Sequence, residues 1–419
     1  MARKQGYPRH RSTPGFFYGY IIVILGFLCL MVAAGSWDSF GVFVKPLANE
    51  FGWTRATVSA SYSLSLVVFG VMGVITGGLT DRFGPRLVLT FCGLFLGAGY
   101  MLMSQLGTLW QIFLFEGVLI GIGMSGFYAP ILGIVARWFV KRRGLMTGVV
   151  LAGLGIGQLA APPIISRIID AYDWRLSYLC LGITVSAVVV ICSQFLKRDP
   201  SQMRLAPYGS AEVHAEAAES SVNSYSLKEA TRTWQLWIML LMKFCFGYYM
   251  FSFVVHIIPH GTDLGISSIN ASNILAICGG GVVIGNFLFG QIVDKIGPRR
   301  VFVLCFIAAL AMMLWLTQAQ ELWMLYLLGF ILGLANGGNM TADSPLAVRL
   351  FGLKSIGHIV GASSGTFSLG AAFGPVCVGY IFDSTGSYQL AFFIGAAFCV
   401  LGIILAAIIR PTQRLETTL

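Results

Sequence analysis

The chain contains twelve apolar segments that are separated by mostly short polar loops. An α-helix of about 20 residues crosses the roughly 30 Å hydrocarbon core of a bilayer, so each segment can span a membrane. Hydrophobic residues make up 57% of the 419 residues and charged residues only 11%, which excludes a water-soluble globule. Because the segments are glycine-rich and do not alternate in polarity, we predict an all-α integral membrane protein rather than a barrel. Numbered span 1 to span 12, they cover approximately residues 16–44, 54–80, 86–106, 109–139, 144–169, 174–197, 233–260, 267–293, 300–319, 322–350, 356–382 and 387–409.

The second half of the chain repeats the first half. Asp81-Arg82-Phe83-Gly84-Pro85-Arg86 recurs as Asp294-Lys295-Ile296-Gly297-Pro298-Arg299, 213 positions later. Identical residues match at the same offset: Pro46 with Pro259, Gly52 with Gly265, Gly148 with Gly361, Gly157 with Gly370, Pro162 with Pro375 and Asp170 with Asp383. Internal repeats of this kind are typical of membrane transporters. The repeat predicts two pseudo-symmetric six-helix bundles, residues 1–197 and 233–419.

The stretch between the two halves, residues 198–232, is rich in Ser, Ala and Glu. This composition cannot bury a core, so we expect a cytosolic linker with a short surface helix near Ser226 to Thr233. The other loops are too short to hold a soluble catalytic domain.

Lysine and arginine are distributed unevenly among the loops. Most of the 27 basic residues lie in the two termini and in the loops that follow even-numbered spans. The positive-inside rule therefore predicts that both termini are cytosolic. The net charge of +10 is explained by contact with the anionic inner face of a lipid bilayer, and we find no signature of nucleic-acid binding.

The sequence lacks the patterns of an enzyme or a metalloprotein. All nine cysteines lie inside apolar spans without close metal-type pairs, so we interpret them as small core residues. No nucleophile and base, and no set of metal ligands, recur at a functional spacing. We therefore expect no catalytic activity, no metal and no cofactor.

Three motifs carry a resemblance to a known family. The stretch from Gly77 to Arg86 resembles the signature between spans 2 and 3 of the major facilitator superfamily, and its copy stands where the duplication requires. Two further stretches, Ser39 to Ala56 and Arg137 to Leu145, are similar to those of bacterial relatives of the monocarboxylate porters. The resemblance covers nearly the whole chain. It implies two bundles around a central cavity that opens to each side of a bacterial inner membrane in turn, in a protein that we expect to be a monomer.

In this family the signature loops are expected to form a gate on the cytosolic side. Asp81 would pair with Arg137 or with the start of span 11, and Asp294 with Arg349 or with the start of span 5. The predicted cytosolic gate consists of Asp81, Arg82, Arg86, Arg137, Asp294, Lys295, Arg299 and Arg349.

Span 5 carries glycines at a spacing that resembles the superfamily's antiporter motif. Gly148 and Gly157 precede Pro162 on this span, and Gly361 and Gly370 are their copies on span 11. Small residues allow helices to approach closely, so tight packing explains the motif without implying antiport.

Ionisable residues inside spans are costly and therefore indicate function. Asp38, in the outer part of span 1, could couple transport to protons, or could be wetted or paired with Arg55 or Arg175. We expect Glu116 to be wetted or to bond a neighbouring helix. Asp343 is expected to pair with Arg349 on the same span.

The remaining ionisable residues bear on the substrate. By the resemblance, Asp38 stands where animal monocarboxylate porters carry a lysine, and Asn286 stands where relatives commonly carry an arginine that binds the carboxylate. A carboxylate then needs another partner, for which Lys243 is the candidate, with His256 as an alternative proton acceptor. Lys243 could also extend toward the cytosol.

Polar side chains on spans 4, 7 and 10 complete the predicted site. Tyr128, Tyr248, Tyr249, Asn336 and Asn339 could bond a small molecule with an apolar body, or serve ordinary helix packing. We predict a proton-coupled symporter of a small, monocarboxylate-like organic acid. The alternatives are a carrier of a neutral, zwitterionic or cationic metabolite and a proton-driven efflux antiporter.

Overall fold

The computed structural model describes residues 17–139, 142–203, 205–209, 225, 227–352 and 356–409. Within these residues, twelve helical segments are long and apolar enough to cross a membrane, in agreement with the twelve predicted spans. Ten of the spans, spans 2, 3 and 5 to 12, are single helices: Arg55–Phe83, Pro85–Met103, Arg143–Ala171, Trp174–Phe195, Trp234–Asp263, Ser268–Ile296, Pro298–Leu316, Leu322–Phe351, Ile356–Thr385 and Gln389–Ile408. The part of the chain described here has no strand, only an isolated bridge between Phe139 and Tyr208.

Spans 1 and 4 are interrupted helices. Span 1 consists of helices Gly19–Asp38 and Phe40–Phe51, and therefore extends seven residues beyond its predicted end at 44. Span 4 runs from Leu109 to Trp138 and contains a π-helix at Phe113–Ile120. Within the linker, the described residues form a 3₁₀ turn at Pro200–Met203 and a short helix at Leu227–Ala230.

The repeated signature builds the same local structure twice. Spans 3 and 9 begin at Pro85 and Pro298, where the fixed φ of proline suits the first helical position. The preceding residues, Gly84 and Gly297, have φ of +87° and +85°. A side chain would be strained at these angles, so glycine is required at both tight turns.

The spans pack into two bundles with matching internal contacts. In the N-terminal bundle, span 1 packs on span 5, span 2 on span 4, and span 3 on span 6. In the C-terminal bundle the equivalent pairs are spans 7 and 11, 8 and 10, and 9 and 12. The bundles meet through spans 2 and 11 and through spans 5 and 8. This is the predicted major facilitator arrangement with pseudo-twofold symmetry.

Glycines permit the closest helix contacts. A Cβ at Gly157 would lie 2.1 Å from the carbonyl oxygen of Met31, and a Cβ at its copy Gly370 would lie 2.1 Å from that of Phe244. By contrast, a Cβ at Gly148 would meet nothing within 4 Å. Close packing therefore explains Gly157 but not Gly148.

Alanine substitution should separate these two positions. We expect Gly157→Ala to lower the free energy of unfolding by about 1–3 kcal/mol, because the new methyl group must displace the backbone of span 1. Gly148→Ala is the matched control and should be neutral or stabilising by up to about 1 kcal/mol, since alanine favours helices. Thermal unfolding of the purified protein in detergent, followed by tryptophan fluorescence, measures both. Equal melting temperatures for the two variants would contradict the packing argument.

Candidate functional site

The helix ends define two sides of the molecule. The termini side contains the first described residue of span 1 and the last of span 12, Gly19 and Ile408. The distal side contains the opposite ends of the spans, such as Phe51, Arg55 and Asp263. The two sides differ in how closely the bundles meet.

On the distal side, ion pairs join the two bundles. Arg55, at the start of span 2, donates two hydrogen bonds to the Asp263 carboxylate at the end of span 7, at 2.6 and 3.0 Å. Lys45 of span 1 lies 3.1 Å from the same carboxylate. Two cations of the N-terminal bundle thus share one acid of the C-terminal bundle.

A second acid strengthens this contact. The Asp383 carboxylate of span 11 accepts hydrogen bonds from the backbone N–H groups of Arg55 and Ala56, at 3.1 and 2.8 Å. These amides form the N-terminus of span 2, where the helix dipole favours an anion. Arg55 also donates to the Tyr388 hydroxyl at 2.5 Å. We call Lys45, Arg55, Asp263, Asp383 and Tyr388 the distal clamp.

On the termini side, the same helices separate. Gly70 of span 2 faces Ser368 of span 11, and a Cβ at Gly70 would lie 3.4 Å from Ser368. Seven residues further on the same helix faces, Gly77 and Gly361 each have open space within 4 Å of an added Cβ. Spans 5 and 8 behave alike: Gly155 is tightly packed against span 8, whereas Gly148 is open. A vestibule therefore opens between the bundles toward the termini side.

An aromatic layer closes the vestibule from the distal side. Trp37 of span 1 contacts the rings of Tyr62, Phe69 and Phe251, with centroid distances of 5.7, 5.2 and 6.4 Å. Phe251 in turn contacts Phe367 of span 11 at 5.9 Å. The layer spans both bundles, so a solute that crosses the protein must displace it.

A buried ion pair lies on the termini side of this layer. The Lys243 ammonium of span 7 is 3.1 Å from the Asp343 carboxylate of span 10, and the two side chains are 6% and 15% exposed. Lys243 lies eight residues from Phe251, or about 12 Å along the helix. The expected pairing of Asp343 with Arg349 is wrong, because a separation of six residues places them on different helix faces. Lys243 does not extend into water, since Asp343 holds it inside.

Further contacts fix this pair. Ser363 donates to Asp343 at 3.3 Å, and the Lys243 nitrogen lies 5.3 Å from the ring centroids of Phe246 and Phe367. Tyr128, on span 4 of the opposite bundle, is 45% exposed and within electrostatic range of Asp343. An exposed side chain of the opposite bundle therefore lies near the pair.

Asp38 has neither of its two expected cationic partners. Arg55 pairs with Asp263, and Arg175 pairs with Glu50 at 2.7 Å. Among the described residues, the Asp38 carboxylate makes no ion pair or hydrogen bond; it lies within electrostatic range of Tyr62, Tyr100 and Cys278. Cys278 belongs to span 8, so Asp38 lies near the bundle interface.

Glu116 is deeply buried in the N-terminal bundle. It is 1% exposed, which excludes wetting, and within the described chain its Oε2 atom has no hydrogen-bond partner. It lies in the π-helix of span 4, within electrostatic range of Tyr62, Tyr100 and Tyr178. The expected helix-to-helix hydrogen bond is not found for this oxygen.

The other predicted site residues lie in several places. His256 is buried near the clamp, where its Nε2 donates to the Pro375 carbonyl at 2.9 Å and also contacts Ser59 of the N-terminal bundle at 3.3 Å. Tyr248 packs on Phe398 of span 12, with a ring distance of 4.2 Å. Neither residue contacts the Lys243–Asp343 pair.

A polar network crosses the C-terminal bundle. The Tyr249 hydroxyl donates to Asn336 at 3.1 Å and accepts from Asn339 at 2.9 Å. Asn286 accepts from Thr341 of span 10 at 3.1 Å and is half-buried. Asn336 and Asn339 lie on span 10 with Asp343, Tyr249 lies on span 7 with Lys243, and Asn286 lies on the neighbouring span 8.

The predicted cytosolic gate is described only in part. The side chains of Asp81 and Asp294 lie outside the described residues. Arg137 contacts Asp199 at 3.4 Å, and Arg86 donates to Gln194 at 2.9 Å. The other basic residues contact backbone or are exposed: Arg299 donates to the Ala406 carbonyl, Arg349 lies against Gly297, and Arg82 and Lys295 are exposed. The proposed pairs of Asp81 and Asp294 stay predictions.

The sequence analysis missed the distal clamp. One sequence feature could have predicted it: four charged residues lie within a few residues of distal span ends, namely Lys45, Arg55, Asp263 and Asp383. From the sequence, Arg55 is expected only as a possible partner of Asp38. Within the described chain, no group of three or more His, Cys, Asp and Glu side chains is placed to hold a metal ion.

Loss of the clamp should open the distal side. We expect Arg55→Gln to remove charge-assisted hydrogen bonds worth about 1.5–3 kcal/mol, and so to shift the population toward a distally open state by about 10- to 100-fold. Spin labels at Asn49 and Ser384, which are exposed and lie in different bundles, would report a longer distance by pulsed electron paramagnetic resonance. The experiment requires a background without reactive cysteines.

Arg175→Gln is the matched control for this experiment. It removes the same charge on the same side, but its partner Glu50 belongs to its own bundle. The Asn49–Ser384 distance should therefore stay unchanged. An unchanged distance in Arg55→Gln as well would refute the role of the clamp.

Comparison with known proteins agrees with this architecture. Monocarboxylate transporter 13 of Rattus norvegicus is 25% identical over 418 residues, covering 94% of this chain and 89% of the relative. MFS-type transporter 1 of Ophiocordyceps sp. (strain BCC 1869) is 26% identical over 410 residues, covering 94% and 86%. A bacterial homolog of the human lysosomal transporter Spinster, solved in an inward-facing and unoccupied conformation, has a TM-score of 0.71 at 17% identity and covers 95% of this chain and 96% of that one.

The family model described as Major Facilitator Superfamily matches residues 26–269 and 244–418, which together cover most of the chain. The first match continues beyond the linker into the C-terminal half, and the second lies within that half. With twelve spans in two bundles and relatives that are monocarboxylate transporters, the chain belongs to the Major Facilitator Superfamily of membrane transporters.

Proposed function

We propose that this protein imports a small organic acid together with protons across a bacterial inner membrane. It would act as a monomer, with both termini and the linker in the cytosol, and with the two bundles exposing the vestibule to each side in turn. In this orientation the described conformation faces inward, and the distal clamp closes the outer side. The gate residues Asp81, Arg82, Arg86, Arg137, Asp294, Lys295, Arg299 and Arg349 would close the cytosolic side in the opposite state.

The observation that supports an anionic substrate is Lys243. A cation buried that deep in the membrane costs free energy unless it binds a partner or a substrate. Its ammonium lies beside two phenylalanine rings, those of Phe246 and Phe367. This surrounding suits a molecule with one carboxylate and an apolar body. The names of the relatives, which are monocarboxylate transporters, support the same substrate class.

The remaining site residues receive roles according to their position. Tyr128 lies within electrostatic range of Asp343 and would contact the substrate directly. Asn286, Asn336 and Asn339 would orient it through hydrogen bonds. Tyr248 and His256 lie further away, so we assign them to the packing and the movement of span 7. Asp38, which lacks a cationic partner among the described residues, is one candidate for the coupled proton.

A second candidate function rests on the same carboxylate. An unpaired Asp38 could serve as counter-ion for a cationic or zwitterionic metabolite, and a proton-driven exporter would use the same groups in reverse. The position of Asp38 near the bundle interface supports this alternative. Substrate panels of opposite charge distinguish the two functions.

Uptake into proteoliposomes tests the proposed function. We expect an inward proton gradient to drive accumulation of radiolabelled pyruvate, lactate or benzoate above the equilibrium level. Dissipating the gradient with a protonophore should abolish accumulation, whereas exchange of the organic acid across the membrane should continue. Accumulation of cationic metabolites instead, or acceleration by a gradient of the opposite direction, would favour the alternatives and reject organic-acid symport.

An arginine at position 286 should change substrate selection. Asn286→Arg places a bidentate carboxylate ligand near the helix that carries Asp343. We expect tighter binding of small monocarboxylates, by about tenfold, with a weaker effect on an uncharged analogue. Competition binding with pyruvate and its amide measures both. Asn286→Gln is the control, because it enlarges the side chain without a charge; equal effects of the two substitutions would contradict a role in reading the carboxylate.

A further inference from the structure

Asp343 binds Lys243, the cation that we assign to the substrate carboxylate in the proposed function. It is the acid that binds Lys243 in the described conformation, at 3.1 Å, and both side chains are largely removed from water. One ammonium in such a site neutralises one carboxylate, and a second carboxylate would leave a buried net charge that costs desolvation free energy. We propose that the substrate carboxylate and Asp343 compete for Lys243, and that protonation of Asp343 is what frees Lys243 for the substrate. The inference rests on the proposed function and names its coupling group.

The charge balance of the exchange requires one proton. Before binding, the Asp343 carboxylate and the Lys243 ammonium neutralise each other. If the anion alone displaced Asp343, the site would hold two carboxylates and one ammonium, a net negative charge in a low-dielectric interior. When a proton binds the Asp343 carboxylate, the acid becomes neutral and the substrate anion forms the new ion pair with Lys243. The site is neutral before and after, and one proton enters with each anion.

The surrounding contacts allow Asp343 to exist in both states. Ser363 donates to its carboxylate at 3.3 Å, and a hydroxyl can also accept from a protonated acid by rotating. Lys243 remains next to Phe246 and Phe367, whose ring faces attract an ammonium when Asp343 withdraws. The pair thus has a second set of partners already in place.

Among the described residues, few other ionisable or polar groups lie near Asp343. Tyr128 of span 4 is within electrostatic range of Asp343. On the neighbouring span 8, Asn286 presents an amide to Thr341, two residues from Asp343. Arg349 lies on the same span but against Gly297, and Asp38 directly follows Trp37 of the aromatic layer. Among the described residues, Lys243 is thus the cation that Asp343 binds in an ion pair.

The pH dependence of anion binding tests this proposal. The probes are acetate, pyruvate, lactate and benzoate, bound to the purified full-length protein between pH 5.5 and 8. For the wild type we expect affinity to fall as pH rises, by up to about tenfold per pH unit, because one proton is taken up with the anion. Asp343→Asn frees Lys243 permanently, so affinity should be high and independent of pH. In proteoliposomes this variant should exchange the anion but fail to accumulate it against a gradient.

Glu321→Gln is the matched control. It removes an acid from the distal end of the same helix, where Glu321 is exposed, and should keep the wild-type pH dependence. A wild-type pH dependence in Asp343→Asn would overturn the proposal, and its loss in Asp38→Asn instead would assign the proton to Asp38. If the wild type binds none of the four anions at pH 5.5, the proposed function fails as well.

A measurement on the wild type does not depend on the folding of any variant. Adding the tightest-binding of the four anions to weakly buffered protein at pH 7 should cause the uptake of about one proton per bound anion. The pH of the solution would rise accordingly. Binding without proton uptake would overturn the exchange at Lys243 while leaving transport of organic acids intact.

Discussion

The cost of an unpaired charge inside a membrane determines where the functional groups of this protein lie. Two sets of ion pairs satisfy this constraint in different ways. Lys243 and Asp343 belong to the same bundle and move together, so their pairing survives a rocking movement. The clamp between Arg55 and Asp263 joins the two bundles near the membrane surface, so it must break whenever the distal side opens. The first set is therefore suited to binding a solute, and the second to holding a conformation.

The glycines of the bundle interface make such a movement possible. Gly155 of span 5 and Gly279 of span 8 place two backbones in direct contact near the middle of the interface. Gly70 approaches Ser368 where spans 2 and 11 meet. Distal to these contacts the bundles are clamped, and on the termini side they diverge. Small residues at the point of contact let rigid helices tilt against each other without displacing large side chains. The bundles, each packed tightly within itself, can then move as units.

The aromatic layer divides the path between the bundles into two parts. Asp38 directly follows Trp37 of the layer, whereas Lys243 lies about 12 Å along span 7 from Phe251, toward the termini side. The motif from Ser39 to Ala56, which carried the resemblance to monocarboxylate porters, supplies Lys45 and Arg55 to the clamp. These two cations therefore contribute to closure rather than to the vestibule wall. The contacts with a substrate come chiefly from spans 7 and 10 in the arrangement that we propose.

The sequence by itself determined the membrane class, the twelve spans, the duplication and the superfamily, because hydrophobic length and repeated glycine and proline positions are local properties of the chain. It also singled out Asp38, Lys243 and Asp343, since ionisable residues are conspicuous in apolar segments. It favoured Arg349 as the partner of Asp343, offered Arg55 or Arg175 as one alternative for Asp38, and did not reveal the clamp. Only the tertiary structure decided these partners, because Lys243 and Asp343 are 100 residues apart and Arg55 and Asp263 are 208 apart. Which charges meet depends on how helices from distant parts of the chain are placed side by side, and no local pattern encodes that placement.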